Sequence, residues 1–197
     1  ARTGADDPDA GPVQAASAKV YDTVVQSAAL LDGASSASMP EIASAVVNAM
    51  AVRIQISGQL NLSSGSSVAE VIQTAASAVN ATIPANVIQA AAAVIAEVNA
   101  IKDDAVSSNQ TVADTLFAMT QAQQVAQARI APALAKLGAG QFSAEELKAS
   151  YSGDALKKAV AAAPVGSLTG FDTGPGVIMF ERDAFRVRED GQPLEAV

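Results

Sequence analysis

"PANVIQAAAAVIAEVNAIKDDAVS", residues 84 to 107, decides how the rest of the chain is read. Val87, Ile88, Ala91, Val94, Ile95, Val98 and Ile101 recur at steps of three or four, which puts them on one face of a single long helix. Alanine fills much of the remaining surface, so neighbouring helices can approach closely. The stretch predicts the inside of a packed helical bundle.

Working outward, the same spacing recurs on both sides. Pro12 suits a first helical turn, and Val13, Val20, Val24 and Leu31 form a stripe that stops at Gly33. Ser38 can cap a second helix, with Pro40 and Glu41 in its first turn, Met39, Ile42, Val46, Val47, Met50 and Ile54 along it, and Gly58 at its end. In a third, Ser67 and Glu70 have the spacing of a capping box, followed by Val68, Val71, Ile72, Ala75 and Val79. Beyond the long helix, another starts near Thr111 and carries Val112, Leu116, Met119, Ile130, Leu134 and Leu137, and Pro132 should kink or divide it. A second capping box, Ser143 with Glu146, opens "SAEELKAS", and "GDALKKAVAAA" ends at Pro164. The expectation is a mainly α chain: an Ala-rich bundle of about seven helices over residues 12–163, with Ile42, Val46, Met50, Val71, Ile88, Ile95, Leu116 and Leu134 in its core.

Composition bounds the function. Half of the 197 residues are hydrophobic, enough to bury a core, while aromatics are 4% and Trp is absent. The net charge of -8, with 12 scattered Lys and Arg, argues against nucleic acid and against anionic membrane surfaces. No apolar run approaches the roughly 18 residues of a membrane span, the longest being "AAAAVIA" at 90–96, so no transmembrane segment is expected. The opening residues 1–11, rich in Asp, Gly and Pro and lacking a Met or signal-like segment, read as a flexible lead-in of a processed or excised piece.

Catalytic chemistry has few carriers here. His and Cys are both absent, which removes the commonest general base, thiol nucleophiles and thiolate metal sites. Carboxylates pair at Asp6/Asp7, Asp103/Asp104 and Glu145/Glu146, and each pair has a local explanation: a solvated tail, a helix end, and a first turn where negative charge is favoured. No phosphate-cradling glycine loop and no Asp-x-Asp-x-Asp-Gly calcium loop occurs. Neither an enzyme nor a bound cofactor is expected.

The end of the chain reads differently. "GSLTGFDTGPG", within residues 164–176, is a linker. "VIMF" and "AFRVRE" then follow, separated by "ERD", and Phe185 and Val187 alternate with Arg186 and Arg188 as in a strand with one covered face. Residues 177–197 thus predict a C-terminal β-hairpin or strand pair, and two strands alone are only marginally stable in water. This run, through Ile178, Phe180, Phe185, Val187, Glu189 and Gly191, resembles the start of a Calx-beta domain, a calcium-binding β-sandwich. "YDTVVQSAALLDGA", "IASAVVNAMAVRIQ" and "VIAEVNAIKDDAV" look like an Ala-rich helical module found beside Calx-beta, cadherin-like and RTX-type repeats in very large secreted bacterial proteins, notably cyanobacterial ones. The resemblance implies that Glu189 is a calcium ligand of an incomplete site, that calcium belongs to the complete β-sandwich, and that the partners are neighbouring β domains of the same polypeptide or other copies of the chain. It further implies a structural or adhesive module, secreted or at the bacterial cell surface, with the capacity to build a fibre or surface layer. The alternative is an amphipathic helical coat of a granule or lipid surface, of the phasin kind, which needs helices whose apolar faces stay exposed.

Overall fold

The computed structural model of the chain describes residues 10–108 and 111–164. These fold as α1 (Ala10–Asp32), α2 (Met39–Ser57), α3 (Gly65–Ala78), α4 (Ala85–Ser108), α5 (Val112–Val125), a π-helical turn (Ala126–Ile130), α6 (Ala131–Gly138), α7 (Ala144–Tyr151) and α8 (Gly153–Ala161). Taken through the π turn as one continuous element, α5 to α6 brings the number to seven helices among the described residues. The expected lead-in up to Asp9, the linker beyond Pro164 and the strand pair lie outside the described residues.

α4 is the axis of the bundle, packed against α1, α3, α5 and α7, while α1 also runs along α2 and α6. Ala90, Ala91, Ala92 and Ala96 are buried on several sides of α4, so partners close in on it from more than one direction. The core joins Leu30 and Leu31 of α1, Ile42 and Val46 of α2, Ile72 of α3, Ile88 and Ile95 of α4, and Leu134, Leu147 and Leu156 of the C-terminal helices. Where the ends of α1 and α6 cross, backbone meets backbone. A Cβ on Gly138 would lie 2.0 Å from the Leu30 carbonyl oxygen, and one on Gly33 2.2 Å from that of Ala135. Only glycine permits that approach.

Helix ends follow local chemistry. Glu41 accepts from the Ser38 backbone N–H at 2.8 Å and from its hydroxyl at 2.7 Å. Ser143 and Glu146 form the expected reciprocal box, with bonds of 2.8 and 3.1 Å. In both, bonds to the serine hold the glutamate carboxyl below its usual range. Gly58 closes α2 in the left-handed region, φ 74°. The Ser67–Glu70 pair does not open α3: the helix starts earlier, after Ser64, and Glu70 pairs with Arg53 of α2 instead. At Pro132 the outcome is a π turn rather than a break. The proline has no N–H for the carbonyl of Ala128, four residues back, and just before it the Ala131 N–H reaches back to Ala126, five residues away.

Of the expected core, Ile42, Val46, Met50, Val71, Ile88, Ile95 and Leu134 are buried, and Leu116 is exposed. Val47 and Ile54 of α2 are about half exposed (50% and 49%), and Val13 and Val20 of α1 face solvent as well. On α1 the buried face is instead Ala15, Asp22, Thr23, Gln26, Ser27, Ala28, Leu30 and Leu31. Half of that inward face is polar, while Val13 and Val20 point out and Val24 is partly buried against the core.

Candidate functional site

That inward face of α1 meets α4. Asp22 and Lys102 sit opposite each other with no solvent exposure of either side chain, 2.6 Å from carboxylate Oδ2 to ammonium Nζ. Lys102 Nζ also donates to Asn99 Oδ1 at 3.1 Å. Asn99, one turn back on α4, sends its amide Nδ2 to Thr23 Oγ1 at 2.9 Å and to the Leu62 carbonyl at 3.0 Å. Gln127 of the π turn donates to the second Asp22 oxygen at 3.2 Å. Separate stretches of backbone are thereby tied at one point: α1, α4, the α2–α3 loop and the π turn that links α5 to α6.

A more exposed extension lies one turn away. Lys19 pairs with Asp103 at 2.6 Å, and the Ser63 hydroxyl donates to the other Asp103 oxygen. This accounts for one expected carboxylate pair: Asp103 is a bridging residue of α4. In another, Glu146 serves its cap while Glu145 stands in the same first turn. Asp6, Asp7 and the proposed calcium ligand Glu189 lie outside the described residues. No group of three or more His, Cys, Asp or Glu side chains able to hold a metal ion occurs among the described residues.

The electrostatics are those of charges taken out of water. Burial pushes the Asp22 carboxyl up and the Lys102 ammonium down, and in each case the attraction of the partner opposes the shift. A buried amine with a lowered pKa can act as a nucleophile when substrate can reach it. Lys102 has no exposed surface, and its ammonium is engaged by Asp22 and Asn99. A groove of about 530 Å³ opens elsewhere, on the outer face of α1, lined by Ala16, Ser17, Val20, Tyr21 and Val24. Those residues offer a hydroxyl or two and no charge. Next to the network, Gln26 and Ser27 are buried with side-chain polar atoms that meet no hydrogen-bond partner, a cost the fold carries.

Sequence reasoning missed Asp22, Thr23, Asn99, Lys102 and Gln127. A signal was present on both helices. Asn99 and Lys102 continue the buried line Ile88–Ala92–Ile95 at steps of three and four, and Lys19, Asp22 and Gln26 likewise run between Ala15 and Leu30. Opposite charges at core positions of two helices are the mark of a buried pair.

Comparison with known protein families, curated proteins and solved structures returned no match for this chain. No helix among the described residues is long and apolar enough to cross a membrane.

Proposed function

We propose that the chain is a non-enzymatic structural or adhesive module of a large extracellular or cell-surface bacterial protein. The observation that carries this reading is the use made of charge inside the helical body. Asp22 and Lys102, fully buried, are turned on each other and on helix-fastening amides, away from the open groove on α1. Such a network favours one arrangement of helices, a role attested for buried polar groups in other proteins. A defined rigid body is what a spacer between repeats has to be.

The tail supports the same reading. The alternation at Phe185 to Arg188 and the likeness to a Calx-beta start make residues 177–190 the first strands of a β-sandwich. Its other strands come from neighbouring β domains of the polypeptide or from another copy by strand addition. Calcium belongs to the complete sandwich. Glu189 supplies at most two of the roughly 6–8 oxygens that ion takes, so other carboxylates must join it.

One observation favours the coat as a second reading. Val13, Val20, Tyr21, Val52, Ile54, Ile56 and Phe117 are all exposed, as a helical coat on a granule or lipid surface requires. Two experiments separate the readings. Following the reading frame past Val197 should reveal Asp-rich β repeats, and protease shaving of intact cells should release the helical body. A frame that ends there, with protein that floats with neutral phosphatidylcholine vesicles, would replace the module by the coat.

A further inference from the structure

α2 is apolar over more than the face it turns to the core, although Ser44, Asn48 and Gln55 lie farthest from that face. Ile42, Ala45, Val46, Ala49 and Met50 enter the core. A second line, on the flank of that face, runs Met39, Ala43, Val47, Ala51, Ile54 and Gly58, with Met39, Val47 and Ile54 exposed by 46, 50 and 49% and Ala43 half-buried. A helix that is hydrophobic beyond one face is normally covered beyond one face.

What covers it can be read from two features. The first is the order of sizes, large and small in strict alternation at steps of three or four. Reversed and laid against itself, the line is its own complement. Met39 falls opposite Gly58 of a second copy, Ala43 opposite its Ile54, and Val47 opposite its Ala51. Every large side chain meets a small one, so the helix axes can draw close. At Gly58 the space is open, with nothing within 4 Å of where a Cβ would stand. The second feature is charge. From Ile42 to Ala69 there is no Asp or Glu, and the single cation, Arg53, is paired with Glu70. A chain of net charge -8 repels its own kind over most of its surface, whereas the carboxylates bordering this region are Glu41, engaged in capping α2, and Glu70, paired with Arg53. An anionic lipid surface finds no free cation here to hold it.

We propose that two copies of the chain associate through α2 as an antiparallel pair about a two-fold axis near Val47 and Ala51. Such an isologous contact closes on itself and gives a dimer rather than an open chain of subunits. The inference rests on the reading of the chain as an assembling module only for the use the dimer serves.

Sedimentation equilibrium of the full chain is the test. At micromolar concentration the mass should be twice 19.7 kDa. Val47→Glu, at an exposed position, should leave helicity and melting unchanged and raise the dimer Kd by about 100-fold or more. Ile54→Lys, beyond Met50, the last buried residue of α2, is a second variant with the same expected loss. The chain has no Cys, so orientation can be read by oxidation: a mixture of Val47→Cys and Ala51→Cys chains should cross-link well, and Val47→Cys alone poorly. A monomer up to about 100 μM, a dimer indifferent to both charged variants, or cross-linking preferred between two Val47→Cys chains would each overturn the proposal. The mass measurement needs no calcium and no neighbouring domain, so a monomer refutes the dimer and leaves the module reading standing.

Discussion

Lys102→Met removes the cation from a site where Asp22 has no exposure to water and only Gln127 left to donate to it. Breaking a buried pair from one side costs about 3–5 kcal/mol, and the Asn99 oxygen that loses its donor adds about 1 kcal/mol. Asp22→Leu strands the ammonium in the same way, with Asn99 as its remaining partner. The double variant Asp22→Leu/Lys102→Met strands no charge. It leaves one amide hydrogen donor and one amide oxygen unmade, together about 1–3 kcal/mol. The singles therefore cannot add: the coupling in a double-mutant cycle should be at least about 3 kcal/mol, a large share of an ordinary stability of about 5–15 kcal/mol. Urea unfolding followed by far-UV circular dichroism measures all four proteins. Singles that sum to the double within about 0.5 kcal/mol would refute the reasoning. The pH dependence has a definite sign. Asp22 is raised from 3.8, so its contribution is complete below that value and is lost as pH climbs through the raised one; Lys102 is lowered from 10.5, so its contribution is complete above that value and is lost as pH falls through the lowered one. Wild type should lose stability relative to the double variant as pH rises above 3.8, and regain it on approaching 10.5.

Gly138→Ala places a methyl group 2.0 Å from the Leu30 carbonyl oxygen; with backbone on both sides the helices must part, and chemical denaturation should show a loss of about 2–3 kcal/mol. Gln26→Met exchanges a buried amide with unpartnered atoms for an apolar chain of similar length, and should raise stability by about 1–2 kcal/mol in the same assay. Ile95→Asp buries an unpaired carboxylate at a position with no exposure, costing several kcal/mol; purified protein should lack a cooperative melting transition, and a normal one would contradict the burial.

The parts of the fold legible in the sequence are those where hydrophobicity and burial coincide. α4 runs from Ala85 to Ser108 against an expected 84–107 because its stripe is unbroken and several of its faces are covered. The Ser143–Glu146 box is legible because every atom of it lies within four residues. α1 misleads because Val13 and Val20 of its expected stripe face out, while Asp22, Thr23, Gln26 and Ser27 share the inner face with Leu30 and Leu31. What makes those residues tolerable inside is Lys102 and Asn99, which are far along the chain and brought near only by packing. A lone aspartate or lysine on an amphipathic helix reads as solvated, and only the pair reveals otherwise. α2 misleads for the opposite reason: it is apolar on a flank as well as on its core face, so its outer line reads together with its inner one.

The central proposal, that the helical body precedes a β-sandwich completed from elsewhere, is tested most directly by amide hydrogen exchange. The chain should be compared alone and joined to the remaining β strands, with and without calcium. In the chain alone, α4 should exchange slowly and Val177 to Glu189 fast; with the other strands present those same amides should become protected, and calcium should add to the protection only there. Slow exchange at Val177 to Glu189 in the chain alone, at a dilution that keeps it monomeric, or tight calcium binding under the same conditions, would contradict the account.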